Sequence, residues 1–226
     1  MSSLRTPRRT ATHRPTARRS TAPRSTARRS TARRGAVHAL AGVLAPVSFV
    51  GAWLLAGSQR AGYRPTVDHI SQLAREGSPH RWLMSSGFAA FGLLAPVFAP
   101  AAARAVRSPA VRWSITTAGV TTLLVGVTPL ARQPGGAQDT LHGLWAGSGY
   151  LAMALTPLLA AVALRRDGRT LAAAASTAVG AVSAASLVAS VALEHKGLYQ
   201  RLGLGVVDLW FVAVATALLT GRTRRR

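Results

Sequence analysis

The sequence contains no cysteine and few acidic residues. Without cysteine the chain has no disulfide, no thiol nucleophile and no cysteine-ligated metal. Six acidic residues stand against 28 lysines and arginines, which gives a formal net charge of +22. This excess predicts an anionic partner. Nucleic acid is not favoured, because no recognition element accompanies the charge, whereas the anionic surface of a lipid bilayer needs none.

The basic charge is concentrated at the N-terminus. Eleven arginines lie within residues 1 to 34, and the unit Ser-Thr-Ala-Arg-Arg occurs at residues 25–29 and again at 30–34. Low complexity and like charge leave little to bury, so the sequence predicts a disordered basic tail over residues 1–35. We expect it to lie near anionic lipid headgroups, which attract each basic residue by about 1 kcal/mol. Residues 221–226 form a second basic segment at the C-terminus.

Long apolar runs fill the rest of the chain. A helix of about 20 residues, rising 1.5 Å per residue, crosses the roughly 30 Å hydrocarbon layer. The sequence therefore predicts an all-α, polytopic bundle of six transmembrane helices over residues 36–220. The spans are expected at residues 37–57, 82–103, 112–131, 142–164, 170–193 and 202–220.

The basic residues between the spans indicate an orientation. With the tail inside, the inner loops and C-terminus carry ten further arginines, against seven basic residues in the outer loops. Basic residues are enriched on the cytoplasmic side of membrane proteins. We therefore expect a multi-pass protein of the bacterial inner membrane with both termini cytoplasmic.

Small residues line two of the predicted helices. Ser176, Gly180 and Ala184 recur every four residues in the fifth span, which is accordingly expected at the centre of the bundle. Gly143 and Gly147 give the fourth span a similar face. Such faces also fit a homo-oligomer, and packing within the bundle explains them equally well.

A polar segment at residues 63–73 separates the first two spans. Ile70 and Leu73 are expected to dip into the bundle while the polar side chains around them stay on the outer side. With Arg201, just before the sixth span, and Asp208 within it, these polar residues form the candidate ligand-binding set: Asp68, His69, Ser71, Gln72, Arg201 and Asp208.

Asp208 lies near the middle of the sixth apolar run. An aspartate there costs roughly 2.5–3.5 kcal/mol, so it should face a partner or a polar cavity. Arg201, seven residues earlier, lies on the same helical face and is one expected partner; the serine face of the fifth helix is the other. The alternatives are a functional carboxylate and a shorter span that places Asp208 nearer the interface.

Asp139 and His142 open the fourth span. One interpretation is a helix cap with an interfacial histidine. The other is chemical, because a three-residue spacing puts both side chains on one face, where they suit a metal pair or an aspartate that orients an imidazole. The candidate catalytic residues are thus Asp139, His142 and Asp208, and the candidate ligands of a divalent metal are Asp68, Asp139 and His142. No other cofactor is indicated.

Three short segments carry a family resemblance. Over about residues 36–220 the chain resembles an uncharacterised bacterial and archaeal family of six-helix integral membrane proteins, a domain-of-unknown-function family. The matching features are Tyr63 and Pro65 before Ile70-Ser71-Gln72-Leu73, the Asp139 and His142 pair, and Gly197-Leu198-Tyr199-Gln200-Arg201 with Trp210. The resemblance implies the fold and the membrane location, and it implies no activity.

These observations predict a non-enzymatic membrane protein that binds a lipid or small ligand, or supports a membrane complex, through a polar site on its outer side. One alternative is a membrane hydrolase or lipid-modifying enzyme that uses a metal-activated water. A second is a small proton-coupled transporter in which Asp208 titrates.

Overall fold

The computed structural model describes the backbone of residues 23–221 and the side chains of residues 33–221. These residues form six α-helices and no strand. A short 3₁₀-helix, Ile70–Ala74, lies between the first two. The α-helices are α1 Pro23–Ser58, α2 Arg81–Val106, α3 Pro109–Val127, α4 Ala137–Arg166, α5 Thr170–Ala192 and α6 Lys196–Leu219. All six are long and apolar enough to cross a membrane, which confirms the predicted all-α six-helix fold.

The first helix begins earlier than its predicted span. Because α1 starts at Pro23, residues 23–35 of the predicted tail continue the helix in the structure. Proline is favoured in the first helical turn, and the alanines and arginines that follow are good helix formers. Residues 1–22 of the predicted tail and residues 222–226 lie outside the described part of the chain.

The six helices form a closed ring. Each packs against the next in sequence, and α6 returns to pack against α1. Helices α2 and α6 also contact each other, and each of them contacts α4 and the 3₁₀-helix. Phenylalanines fill the space between α1, α2 and α6: the Phe91 and Phe211 rings stack with centroids 6.1 Å apart, and Phe98 lies 5.5 Å from Phe211.

The predicted central position of α5 is wrong. This helix packs against α4 and α6, and its share of buried residues, 28%, is the smallest of the six spans. Gly180 does allow a close approach, because a Cβ there would collide with Leu158 of α4. In contrast, a Cβ added to Gly143 or to Gly147 would have no neighbouring atom within 4 Å, so their face of α4 packs against nothing in the described bundle.

The loops gather at two ends of the ring. At one end, here called the polar end, residues 59–80 between α1 and α2 contact the α3–α4 loop through the Glu76 N–H and the Leu130 carbonyl, 3.0 Å apart. They also contact the start of α6. At the opposite, basic end, Arg107 and Asp167 form an ion pair of 3.6 Å between the α2–α3 and α4–α5 turns. The predicted grouping of loops on two sides is therefore confirmed.

Candidate functional site

A cavity lies inside the ring at its polar end. Helices α1, α2, α3, α4 and α6 and the 3₁₀-helix form its walls. The cavity is partly open to its surroundings, and the empty space between its walls is about 500 Å³ when the open part is included. Most of the wall is apolar and aromatic. The polar side chains that line it are Ser71, Thr122, Tyr150, Gln200 and Asp208.

Asp208 is the acidic residue that lines this cavity. It lies 12 residues after the start of α6, hence about 18 Å along the helix and near its midpoint. The residue is 4% exposed, and neither carboxylate oxygen has a hydrogen-bond partner in residues 33–221. A carboxylate in such surroundings is strongly disfavoured relative to the neutral acid. The structure therefore places an unpartnered carboxyl group against a cavity in the middle of a membrane span.

The partners that the sequence suggested for Asp208 are bonded elsewhere. The serine face of α5 binds α6 through Ser176, whose hydroxyl accepts a hydrogen bond of 3.0 Å from the Trp210 indole N–H. Arg201 points away from Asp208, toward the loop between α1 and α2. The expected ion pair and the expected bond to the serine face are therefore both wrong.

Arg201 holds this loop onto α6. Its Nη1 donates to the carbonyl oxygens of Pro65 at 2.6 Å and Asp68 at 3.0 Å. Its Nη2 donates to the Tyr63 hydroxyl. The guanidinium also lies over the Trp53 ring, with its Cζ 5.0 Å from the ring centroid, a distance at which a cation is attracted to the π face. The guanidinium thus acts as a clasp between α1, the loop and α6.

The start of α6 approaches the same loop very closely. A Cβ on Gly197 would lie 2.5 Å from the Pro65 carbonyl oxygen and nearer still to that of Asp68, inside the 3.0 Å that real Cβ atoms keep. Glycine lets the Leu198 N–H reach the Thr66 carbonyl at 2.9 Å. The family-like segment at residues 197–201 is therefore an attachment point for the loop.

Gln200 connects the loop to the cavity. Its Oε1 accepts a hydrogen bond of 2.7 Å from the Ile70 N–H at the start of the 3₁₀-helix, and its Nε2 donates to the Tyr150 hydroxyl oxygen. Since that oxygen accepts from Gln200, the hydroxyl proton of Tyr150 remains available to a ligand. Ile70 and Leu73 are both 1% exposed, which confirms that they dip into the bundle.

Asp68 and Gln72 form hydrogen bonds within the loop itself. The Asp68 carboxylate accepts from the Arg64 N–H at 2.7 Å, and the Gln72 Oε1 accepts from Arg75 at 2.9 Å. His69 is partly buried near the Ser190 backbone, and burial lowers the pKa of its imidazole below the ordinary value. Of the predicted ligand-binding set, the structure brings Ser71 and Asp208 to the cavity, while Asp68, His69, Gln72 and Arg201 shape the loop above it.

Asp139 and His142 both organise the loop between α3 and α4. The Asp139 carboxylate accepts from the N–H groups of Ala131 at 2.7 Å and Gly135 at 2.9 Å. The His142 Nδ1 lies 2.7 Å from the Thr128 carbonyl oxygen, so this nitrogen carries the proton. Its Nε2 is buried and has no partner in the described chain. Each side chain holds a different part of the loop. The predicted helix cap with an interfacial histidine is wrong, because Asp139 lies inside the first turn of α4 and bonds N–H groups that precede the helix, and His142 is buried.

The candidate metal ligands do not come together. Among the side chains of residues 33–221, no three His, Asp or Glu groups lie close enough to hold a metal ion. Asp68 is engaged by the loop after α1, whereas Asp139 and His142 are engaged by the loop after α3. A metal-activated water therefore has no assembled ligand set in this part of the chain.

Several residues of the site were not identified from the sequence. The cavity walls include Tyr150, Gln200, Trp145 and three phenylalanines, none of which was a candidate. Gln200 carried a usable signal, because it lies eight residues before Asp208 and therefore about 80° from it around α6, within one broad helical face. The aromatic residues carried none, since within an apolar span they look like ordinary packing residues.

Six apolar helices in one ring, with a carboxyl group buried at the centre of a span, define a multi-pass membrane protein. A family model described as "Protein of unknown function (DUF998)" matches residues 43–217. The chain belongs to this family, which confirms the resemblance seen at the polar end and in α6. No curated protein and no solved structure matches the chain.

Proposed function

We propose that the protein binds a lipid or a small amphiphilic ligand in the cavity at the polar end of the ring. The observation that carries this proposal is the Asp208 carboxyl group, buried against the cavity with both oxygens unpartnered in the described chain. An ionisable group at the centre of a membrane span is costly, and such groups usually serve a ligand or an ion. A ligand that bonded Asp208 would offset that cost.

The rest of the cavity suits a molecule with a polar head and an apolar body. Tyr150 offers a hydroxyl proton, and Ser71 offers a hydroxyl group beside the loop. The walls between them are mainly aromatic and aliphatic. Small-molecule sites commonly combine an apolar wall with a few placed polar groups.

The orientation of the site follows from the distribution of basic residues. We propose that the basic end faces the cytoplasm of a bacterial cell and that the polar end faces outward. The support is the excess of arginines in the tail, the short inner turns and the C-terminus. A ligand would then enter from the outer side or from the outer half of the membrane.

Filling the cavity tests the proposal. Ala146 lines it, so Ala146→Phe should obstruct the ligand. Leu144, two residues away, is 61% exposed, and Leu144→Phe adds the same ring to the outside of the same helix. Mass spectrometry of small molecules that co-purify in detergent should show a species retained by the wild type and by Leu144→Phe but depleted at least tenfold in Ala146→Phe. Equal retention by all three proteins would contradict the proposal.

The transporter alternative uses the same carboxyl group. A proton-coupled carrier needs a titrating group within the membrane, and Asp208 lies where such a group would act. It predicts that a pH gradient drives ligand uptake into proteoliposomes. Binding without such uptake would leave the protein as a binding protein.

A further inference from the structure

We infer that the ligand of this cavity is an organic cation, specifically an amphiphile with an alkylammonium head. This inference rests on the proposed function and adds the charge of the ligand. Its basis is an uncompensated acid: Asp208 lines the cavity, and none of the cavity's lining residues is basic. Within the membrane a carboxylate is stabilised by a counter-ion, which here the ligand itself would supply.

Aromatic rings line the same cavity as Asp208. Phe49 from α1, Phe88 and Phe91 from α2, and Trp145 and Tyr150 from α4 all line the cavity. The face of an aromatic ring attracts a cation, and the attraction increases when water is excluded. A carboxyl group among aromatic rings therefore favours a cationic head over a neutral or anionic one.

The nearest basic residue of α6 does not compete for the carboxyl group. Arg201 lies seven residues before Asp208, about 10 Å along the helix axis. Its Nη1 is bonded to the carbonyl oxygens of Pro65, Asp68 and Gly197. These hydrogen bonds keep the Arg201 guanidinium at the loop. It therefore does not pair with Asp208, which remains available to a cationic ligand.

Binding of a permanent cation would release a proton. An isolated carboxyl group in apolar surroundings is protonated, so the empty site holds the neutral acid. When the ammonium head enters, the O–H bond of Asp208 breaks, its proton passes to solvent, and the carboxylate pairs with the head. Apparent affinity then increases with pH, by up to tenfold per unit while the empty acid is protonated.

Few other groups near Asp208 can titrate. Tyr150 is the other titratable side chain that lines the cavity. The remaining lining residues from α1, α2, α3 and the 3₁₀-helix are Phe49, Phe88, Phe91, Thr122, Val125, Ile70 and Ser71, none of which titrates. The buried polar residues of α5, which packs against α6, are serines. A pH dependence below the range in which a tyrosine hydroxyl ionises would therefore report Asp208.

Equilibrium dialysis against the protein in phosphatidylcholine nanodiscs tests the inference. The probes are radiolabelled octyltrimethylammonium, a permanent cation, and N-octylacetamide, a neutral molecule with the same chain; empty nanodiscs supply the background. The variant is Asp208→Asn, which keeps the shape and removes the charge. The matched control is Asp167→Asn at the basic end, where the carboxylate pairs with Arg107 away from the cavity. Circular dichroism and thermal unfolding establish that each variant is folded.

We expect the wild type and Asp167→Asn to bind the cation at least tenfold more tightly than the amide, with affinity increasing with pH. Asp208→Asn should lose at least tenfold in cation affinity and keep its affinity for the amide. If the amide binds as tightly as the cation in every protein, the ligand is not a cation, but the proposed function stands. If neither probe binds above background, the cation inference and the proposed binding site both fail. A pH-independent cation affinity in the wild type would also overturn the inference.

Discussion

Replacing Gly197 by alanine should destabilise the protein, although alanine is normally the better helix residue. In an ordinary helix interior the change from glycine to alanine stabilises by up to about 1 kcal/mol. At Gly197 the added methyl group would overlap the carbonyl oxygens of Pro65 and Asp68, which belong to backbone and cannot turn aside. The start of α6 must therefore move away from the α1–α2 loop.

Three hydrogen bonds depend on that approach. They are the bond from the Leu198 N–H to Thr66 and the two from Arg201 to Pro65 and Asp68. A neutral bond contributes about 1 kcal/mol and a bond to a charged group about 1.5 kcal/mol or more, so their loss costs about 4 kcal/mol. Helix propensity offsets about 1 kcal/mol of this cost, which leaves a net destabilisation of about 3 kcal/mol.

Gly205 supplies a matched control within the same helix. A Cβ there has no atom within 4 Å, so Gly205→Ala should leave stability unchanged or slightly increased. Thermal unfolding in detergent, followed by circular dichroism, compares the two variants. At about 2–4 °C per kcal/mol, Gly197→Ala should unfold about 6–12 °C below the wild type. A Gly197→Ala protein as stable as Gly205→Ala would refute the clasp as a stabilising contact.

Three further predictions concern pH, packing and topology. Burial lowers the pKa of His69 in the folded protein, so as the pH decreases the unfolded chain takes up a proton on this imidazole before the folded chain does. The free energy of unfolding should therefore be greatest above a pH of about 6.5 and decrease below it. His69→Gln should flatten this pH dependence of the unfolding temperature. Trp210→Phe should cost about 1 kcal/mol by removing the bond to Ser176, and in a double-mutant cycle Ser176→Ala should add little to it. A reporter enzyme that is active only outside the cytoplasm should be silent when fused to the C-terminus, and strong activity would reverse the proposed orientation.

The sequence predicted the helices well because the membrane constrains them strongly. A span must be apolar and about 20 residues long, and both properties are readable without a structure. The unusual position of Asp208 was readable for the same reason. The surroundings of Asp208 could not be predicted from the sequence. The position of a residue in a helix gives the direction of its side chain, but it does not show which groups of neighbouring helices lie there.

The incorrect expectations share a physical cause. Arg201 has a long side chain that reaches the carbonyl groups of a distant loop, and its position on the α6 face did not disclose them. The small residues of α5 permit a close approach, but they do not set how many helices approach. Gly180 of α5 packs closely against α4, whereas a Cβ added to Gly147 of α4 would have no neighbouring atom within 4 Å in the described residues.

The closure of the ring has a consequence for biosynthesis. As the chain emerges from the ribosome, α2 through α5 can each pack on the helix inserted just before. Only α6 joins both ends of that row, and it also brings Gln200, Arg201 and Asp208. In a nascent chain that lacks α6, the loop between α1 and α2 therefore lacks its contacts with Gln200 and Arg201, and the cavity lacks Asp208. The sixth helix completes the site, so a chain that terminates before α6 would insert into the membrane without acquiring it.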